Sequence, residues 1–113
     1  MVSPSQIDEV TWLEPWALLE EQDRDVLERE LRRELIAGHV LFGRDARAIA
    51  RRHDQDDVLF LVEAPPQLAV VHLTYVRESR SGFPHTMVFE TIAEFIEACM
   101  LPDHAEFTDD DVD

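Results

Sequence analysis

Residues 57–76, DVLFLVEAPPQLAVVHLTYV, say most about the fold. Two runs rich in Val, Leu, Phe and Tyr, DVLFLVE (57–63) and LAVVHLTYV (68–76), flank Ala64-Pro65-Pro66-Gln67, and adjacent prolines cannot continue a hydrogen-bonded ladder. The pattern predicts two antiparallel strands, a β-hairpin. Alternation along the second strand puts Leu68, Val70, His72, Thr74 and Val76 on one face and Ala69, Val71, Leu73 and Tyr75 on the other. His72 and Thr74 then mark the less buried face of the sheet.

Upstream of the hairpin, ARAIARR (46–52) fits an outer strand or a short helix, and the strands that follow favour a strand. Between it and the hairpin lies HDQDDVLF (53–60), a histidine and three aspartates. A calcium loop would need oxygen ligands over about a dozen residues with a glycine and a final glutamate, but Leu59, Phe60 and Leu61 occupy that space. Aspartates bonding their own backbone make a turn instead, with His53, Asp54 and Asp56 pointing to solvent and Asp57 leading into the strand. Downstream, RESRSGFPH (77–85) reads as a polar loop and TMVF (86–89) as a short edge strand. Thr91 and Glu94 have the spacing of a capping box, and Ile92, Phe95, Ile96 and Cys99 stand at i, i+3, i+4, i+7, which predicts a helix. Leu101-Pro102 is expected to end it, and the acidic residues 103–113 to form a flexible tail.

Toward the amino end, Leu19, Leu27, Leu31 and Leu35 recur at multiples of four, one helix stripe, with Asp25/Arg29 and Glu28/Arg32 at i, i+4. Its start is open between a capping box at Thr11–Glu14 and Pro15 in a first turn; it can break at Gln22-Asp23, and Gly38 is the expected C-cap. Residues 1–10 read as a loose arm. The whole predicts a single α+β domain over 11–102: an N-terminal helix, whole or broken, an antiparallel sheet of three to four strands, and a C-terminal helix packed on one face. The other face is where function is to be sought.

A chain of 113 residues accommodates one core, and 45% apolar with 31% charged residues suits a soluble globular protein. The 25 acidic side chains against 10 basic ones leave a formal charge of −15. That field repels polyanions, so nucleic acid and anionic membrane are excluded as partners and a basic protein is favoured. All the basic residues are arginine, which reads as a GC-rich coding sequence rather than as chemistry. The longest apolar run is about half of a bilayer span. The amino end lacks the features of a secretory signal, and the single cysteine, Cys99, cannot form an internal disulfide. The expected location is the cytoplasm.

Signatures of catalysis are missing from the pattern. The five histidines show no H-x-x-x-H spacing, and the glycines at 38, 43 and 82 are too far apart to cradle a phosphate. Cys99 on the helix stripe predicts a buried thiol of raised pKa rather than a nucleophile, and Trp12 and Trp16 read as a core contact. No catalytic, cofactor-binding or metal-ligating residue is assigned, and no cofactor is expected. A ligand or partner surface, if one exists among the polar groups, falls on His39, Asp57, His72, Thr74 and His104.

RELIAGHVLFGRDARAIARRHDQDDVLF, AVVHLTY and EFIEACMLPDH together resemble a family of small bacterial proteins of unknown function with the pattern G-H-x-L-x-G, A-I-A-R-R, D-D-V-L-F, A-V-V-H-L-T and P-D-H. The resemblance spans roughly residues 25–107. It implies a single bacterial domain and supplies no site. The expected function is a non-catalytic, protein-binding module, accessory or immunity-like, with a basic partner. The alternative is a small-ligand binder or metal-dependent enzyme with His39, His72, His104 and Asp57 around a cleft beside the sheet, which requires that the histidines converge.

Overall fold

The computed structural model describes residues 2–75 and 83–109. The hairpin forms, β3 at Asp57–Val62 and β4 at Gln67–His72, but β4 stops short of the expected run to residue 76, Leu73 and Thr74 lying outside the strand and Tyr75 turning away at φ 59°; residues 46–52 are a strand, β2 (Ala46–Arg52). TMVF forms the edge strand β5 (Thr86–Phe89), and a fifth strand, β1 (Trp16–Leu18), stands at the opposite edge. The order is β1-β2-β3-β4-β5, every neighbour antiparallel. The protein is thus α+β, with five strands where three to four were expected. β1 escaped notice because three residues after a proline carry no measurable period.

Every residue from Val58 to Val62 in β3 is buried. Val58, Phe60 and Val62 face one layer, with Leu19, Leu27, Leu31, Leu41 and Leu73; Leu59 and Leu61 face the other, with Trp16, Phe95, Cys99 and Met100. An unbroken apolar run is what a strand covered on both faces requires. The expectation of an open second face is therefore corrected: the helix α2 (Glu21–Glu34) and the turns after it lie on one side, and the C-terminal helix lies on the other.

The N-terminal helix is shorter than its pattern implied. α2 begins at Glu21 behind the N-cap Glu20 and ends at Glu34, with Leu35 already extended at ψ 134°. Gly38 is thus not its C-cap; at φ 98° it serves a turn in the loop that follows. Residues 2–10 are no loose arm: α1 (Pro4–Asp8) is tied at its start by Ser3 N–H donating to Gln6 Oε1 at 3.0 Å, and Val2 and Ile7 are buried in the core.

The C-terminal helix starts at the expected cap, Thr91 Oγ1 accepting from Glu94 N–H at 3.1 Å, and buries the predicted stripe. It does not stop at Pro102. α3 (Ile92–Phe95) passes into a π-turn (Ile96–Met100) and continues as α4 (Leu101–Asp109). A proline lacks the N–H for the carbonyl four residues back and crowds it; the wider turn, with Leu101 N–H bonding the Ile96 carbonyl, lets the helix carry the ring. The acidic tail is accordingly helical to Asp109, and residues 110–113 lie outside the described residues, as do 76–82, which include Val76 and most of the expected polar loop. Cys99 is buried, and desolvation with the neighbouring Asp103 carboxylate pushes its thiol up to about 12. Trp16 packs edge-on against Phe95 at 5.2 Å; Trp12 reaches the same ring at 6.2 Å. Among the described residues no helix is long and apolar enough to cross a membrane.

Candidate functional site

The five polar residues singled out from the sequence go to four different places. His39 is buried in the loop after α2, its Nδ1 accepting from Leu41 N–H at 3.0 Å and its Nε2 lying 3.0 Å from the Pro84 carbonyl. Those contacts fix the tautomer with the proton on Nε2, and they use both ring nitrogens to tie the loop to the start of β5. Thr74 caps the end of the hairpin: its N–H and Oγ1 both donate to Glu34 Oε1 at 2.8 Å. His104, on α4, sets Nδ1 2.6 Å from the Glu14 carbonyl and so links the last helix to the segment before β1. These histidines do not form one cleft.

Of the five, only Asp57 and His72 come together. They are cross-strand partners on β3 and β4, and Asp57 Oδ1 lies 2.7 Å from His72 Nδ1. They line a cleft of about 240 Å3 with Val70, His85, Thr86 and Met87. An aspartate that orients a half-exposed imidazole leaves Nε2 available as a proton carrier or hydrogen-bonding group. Among the described residues of the cleft wall none is an activated nucleophile, since Thr86 Oγ1 already donates to the Pro84 carbonyl at 3.0 Å. Among the described residues no group of three or more His, Cys, Asp or Glu side chains is placed to hold a metal ion.

HDQDDVLF makes an exposed bend at 53–56 before the strand. Asp56 behaves as a turn residue, but His53 sets its ring edge-on against Phe107 at 5.3 Å with Nε2 3.3 Å from Glu14, and Asp54 takes a two-point hydrogen bond from Arg52, Nε at 2.9 Å and an Nη at 2.8 Å. Arg52 is 5% exposed and also lies 3.3 Å from Asp103, whose other oxygen accepts from Trp16 Nε1 at 2.8 Å. On the far side of the sheet Glu34 is fully buried and takes Tyr75 N–H at 2.9 Å in addition to Thr74. Burial, then the neighbouring Glu30 carboxyl, raises its pKa, while the donors from Thr74 and Tyr75 act in the opposite direction. Glu34 had a signal in the sequence, an acid on the stripe of Leu27 and Leu31; Arg52 and Asp103 had none.

A wider concavity lies elsewhere, a groove of about 480 Å3 between α1, α2 and the β1–β2 edge. Ile7, Ile49 and Leu61 contribute an apolar floor and Asp8, Glu21 and Asp25 an acidic rim. No family model, curated protein or solved structure matches the chain.

Proposed function

We propose that the protein is a non-catalytic binding module whose acidic surface docks a basic protein partner in the cytoplasm. The observation that carries this reading is where the cations go. Arg52 is buried under Asp54 and Asp103, Arg44 donates to the Glu63 and Pro65 carbonyls and to Gln67, and Arg33 pairs with Glu30. These three of the ten arginines are held by the chain's own groups, Arg52 buried and Arg33 and Arg44 at the surface, and the excess of 25 acids over 10 bases steers a cationic partner and repels nucleic acid. A single cysteine, buried and without a disulfide partner, supports a reducing compartment. The small-ligand reading rests on the Asp57–His72 pair alone, since His39 and His104 are committed to loop and helix contacts.

The test is affinity capture by the immobilised protein from a lysate of its native source, at about 0.05 and 0.5 M salt. The expected result is a protein of high pI retained in stoichiometric amount at low salt, released at high salt, and binding again as a purified protein. Retention of acidic proteins only, or of nothing that salt releases, overturns the reading.

A further inference from the structure

β1 has three residues and its partner β2 has seven. After Leu18 the chain makes one more sheet bond, Leu19 N–H to the Ile49 carbonyl at 3.0 Å, and then departs into α2. From Ala46 to Ala48 the outer side of β2 therefore has no strand beside it among the described residues. The register shows which groups face that side. Glu63 N–H donates to the Asp45 carbonyl, so Asp45 and Arg47 direct their main-chain groups toward β3, while Ala46 and Ala48 direct theirs outward. A side chain fills in at one of these positions: Glu28 Oε2 accepts from Ala48 N–H at 2.9 Å.

The groove of about 480 Å3 continues the line that β1 abandons, beginning at Leu18 and running along Arg47, Ala48 and Ile49; Ala48 is fully buried there with its N–H under the Glu28 carboxylate, so this edge opens only when that carboxylate moves, and Ala46 lies just beyond the groove lining. Leu18 is half exposed at its mouth. Its charged lining is four acids, Asp8, Glu21, Asp25 and Glu28, against two bases, Arg24 and Arg47, an excess of two negative charges. A strand-shaped slot with outward main-chain groups, an apolar floor and an acidic rim has the chemistry of strand addition with alternating cationic and apolar side chains.

We propose that this slot binds an extended basic peptide segment of a partner protein, which pairs with β2 at Ala46–Ala48 and takes the place of the Glu28 carboxylate at Ala48 N–H. The proposal rests on the reading that the partner is a basic protein and names how that partner is held. Glu28, released from the backbone, becomes the counter-charge for an incoming lysine or arginine, so the group that protects the open edge also selects what fills it.

The full-length protein, labelled with 15N, is titrated with the peptide Val-Lys-Val-Lys-Val-Lys-Val, with its Glu-for-Lys counterpart, and with the lysine peptide N-methylated at alternate amides. The lysine peptide is expected to shift the amides of residues 46–49 and of α1, and N-methylation to weaken it by about tenfold or more by removing strand donors. Ala46→Pro should weaken it similarly with little change in Tm, because a proline at the first residue of a strand, its missing N–H facing outward, is tolerated. Should that variant fail to fold, the N-methylated peptide tests the same main-chain pairing on the unaltered protein. Salt-sensitive binding of the lysine peptide with shifts elsewhere overturns the slot and leaves the basic-partner reading standing. No binding of the lysine peptide at about 1 mM overturns the slot, and the reading falls with it if the capture experiment also fails. Equal binding of the glutamate peptide, or shifts at the same amides on raising the protein concentration alone, assigns the slot to another occupant and overturns the proposal.

Discussion

The two layers on the sheet are fastened by opposite charges, and they are fastened differently. On the α2 side a fully buried carboxylate, Glu34, is held by main-chain N–H groups and a hydroxyl. On the C-terminal side a buried guanidinium, Arg52, lies between two carboxylates, one of which also takes the Trp16 indole. The first anchor replaces water by donors that are always present; the second depends on the ionisation of its partners. Acid should therefore loosen the two faces of one sheet unequally.

The most direct challenge to this contrast removes the buried carboxylate. Glu34→Ala leaves the Thr74 and Tyr75 N–H groups without their acceptor and should cost about 3 kcal/mol in urea unfolding. A loss under about 1 kcal/mol would mean that water replaces the acid and that α2 is held by its leucines alone. Asp103→Ala should cost less, about 2 kcal/mol, because Arg52 keeps Asp54 while the Trp16 indole loses its acceptor. Here the Trp16 indole N–H resonance should move and its hydrogen exchange accelerate, with the Thr74 amide unchanged.

Changing pH separates the two faces without mutation. The folded-state pKa of Glu34 is raised, chiefly by burial, so its protonated form contributes stability that is fully present below the ordinary carboxylate range and is lost as pH rises through the raised value. The pKa of Asp54 is lowered, chiefly by its hydrogen bond from Arg52, so its contribution is present above the ordinary aspartate value and is lost as pH falls through the lowered one. On acidification from about pH 5 to about pH 2, exchange at the Arg52 Nε–H, which donates to Asp54, should gain on exchange at the Thr74 and Tyr75 amides, after correction for intrinsic rates. Parallel changes at both places would show that the layers open as one unit. The smallest effect belongs to the bend: Asp56→Ser should change stability by no more than about 0.5 kcal/mol, whereas Asp54→Ser should cost about 1 kcal/mol.

Much of the fold was legible because it is local. The hairpin, the strand at 46–52, the edge strand TMVF and the stripe from Ile92 to Cys99 are patterns of adjacent residues, and all are present. What failed depended on partners distant in sequence. Leu19 looked like the first member of a helix stripe, yet it follows a strand whose sheet neighbour among the described residues is β2, far downstream. Glu28 looked like the i, i+4 partner of Arg32 but caps the edge of β2 at Ala48. Pro102 looked like a terminator because a π-turn cannot be foreseen from spacing. The second covered face was readable in the unbroken run from Val58 to Val62, whose lack of alternation is itself the sign of burial on both sides. Of the proposed surface, the pairing of Asp57 with His72 follows from the hairpin register, while the positions of His39, Thr74 and His104 depend on loops and on the last helix.

Strand order has a consequence for a chain made from one end. The layer under α2 draws its buried residues from Leu19 to Leu73, so everything it needs has been synthesised well before the C-terminal helix exists. The opposite layer cannot close until Phe95, Cys99 and Met100 arrive, and until then Val2, Ile7 and Trp16 lack the ring and side chains they pack on. A nascent chain halted at residue 90 should accordingly protect α2 and the hairpin from protease while leaving the segment up to Leu18 open to cleavage. The helix that follows the sheet is the lid that seals the segment before it.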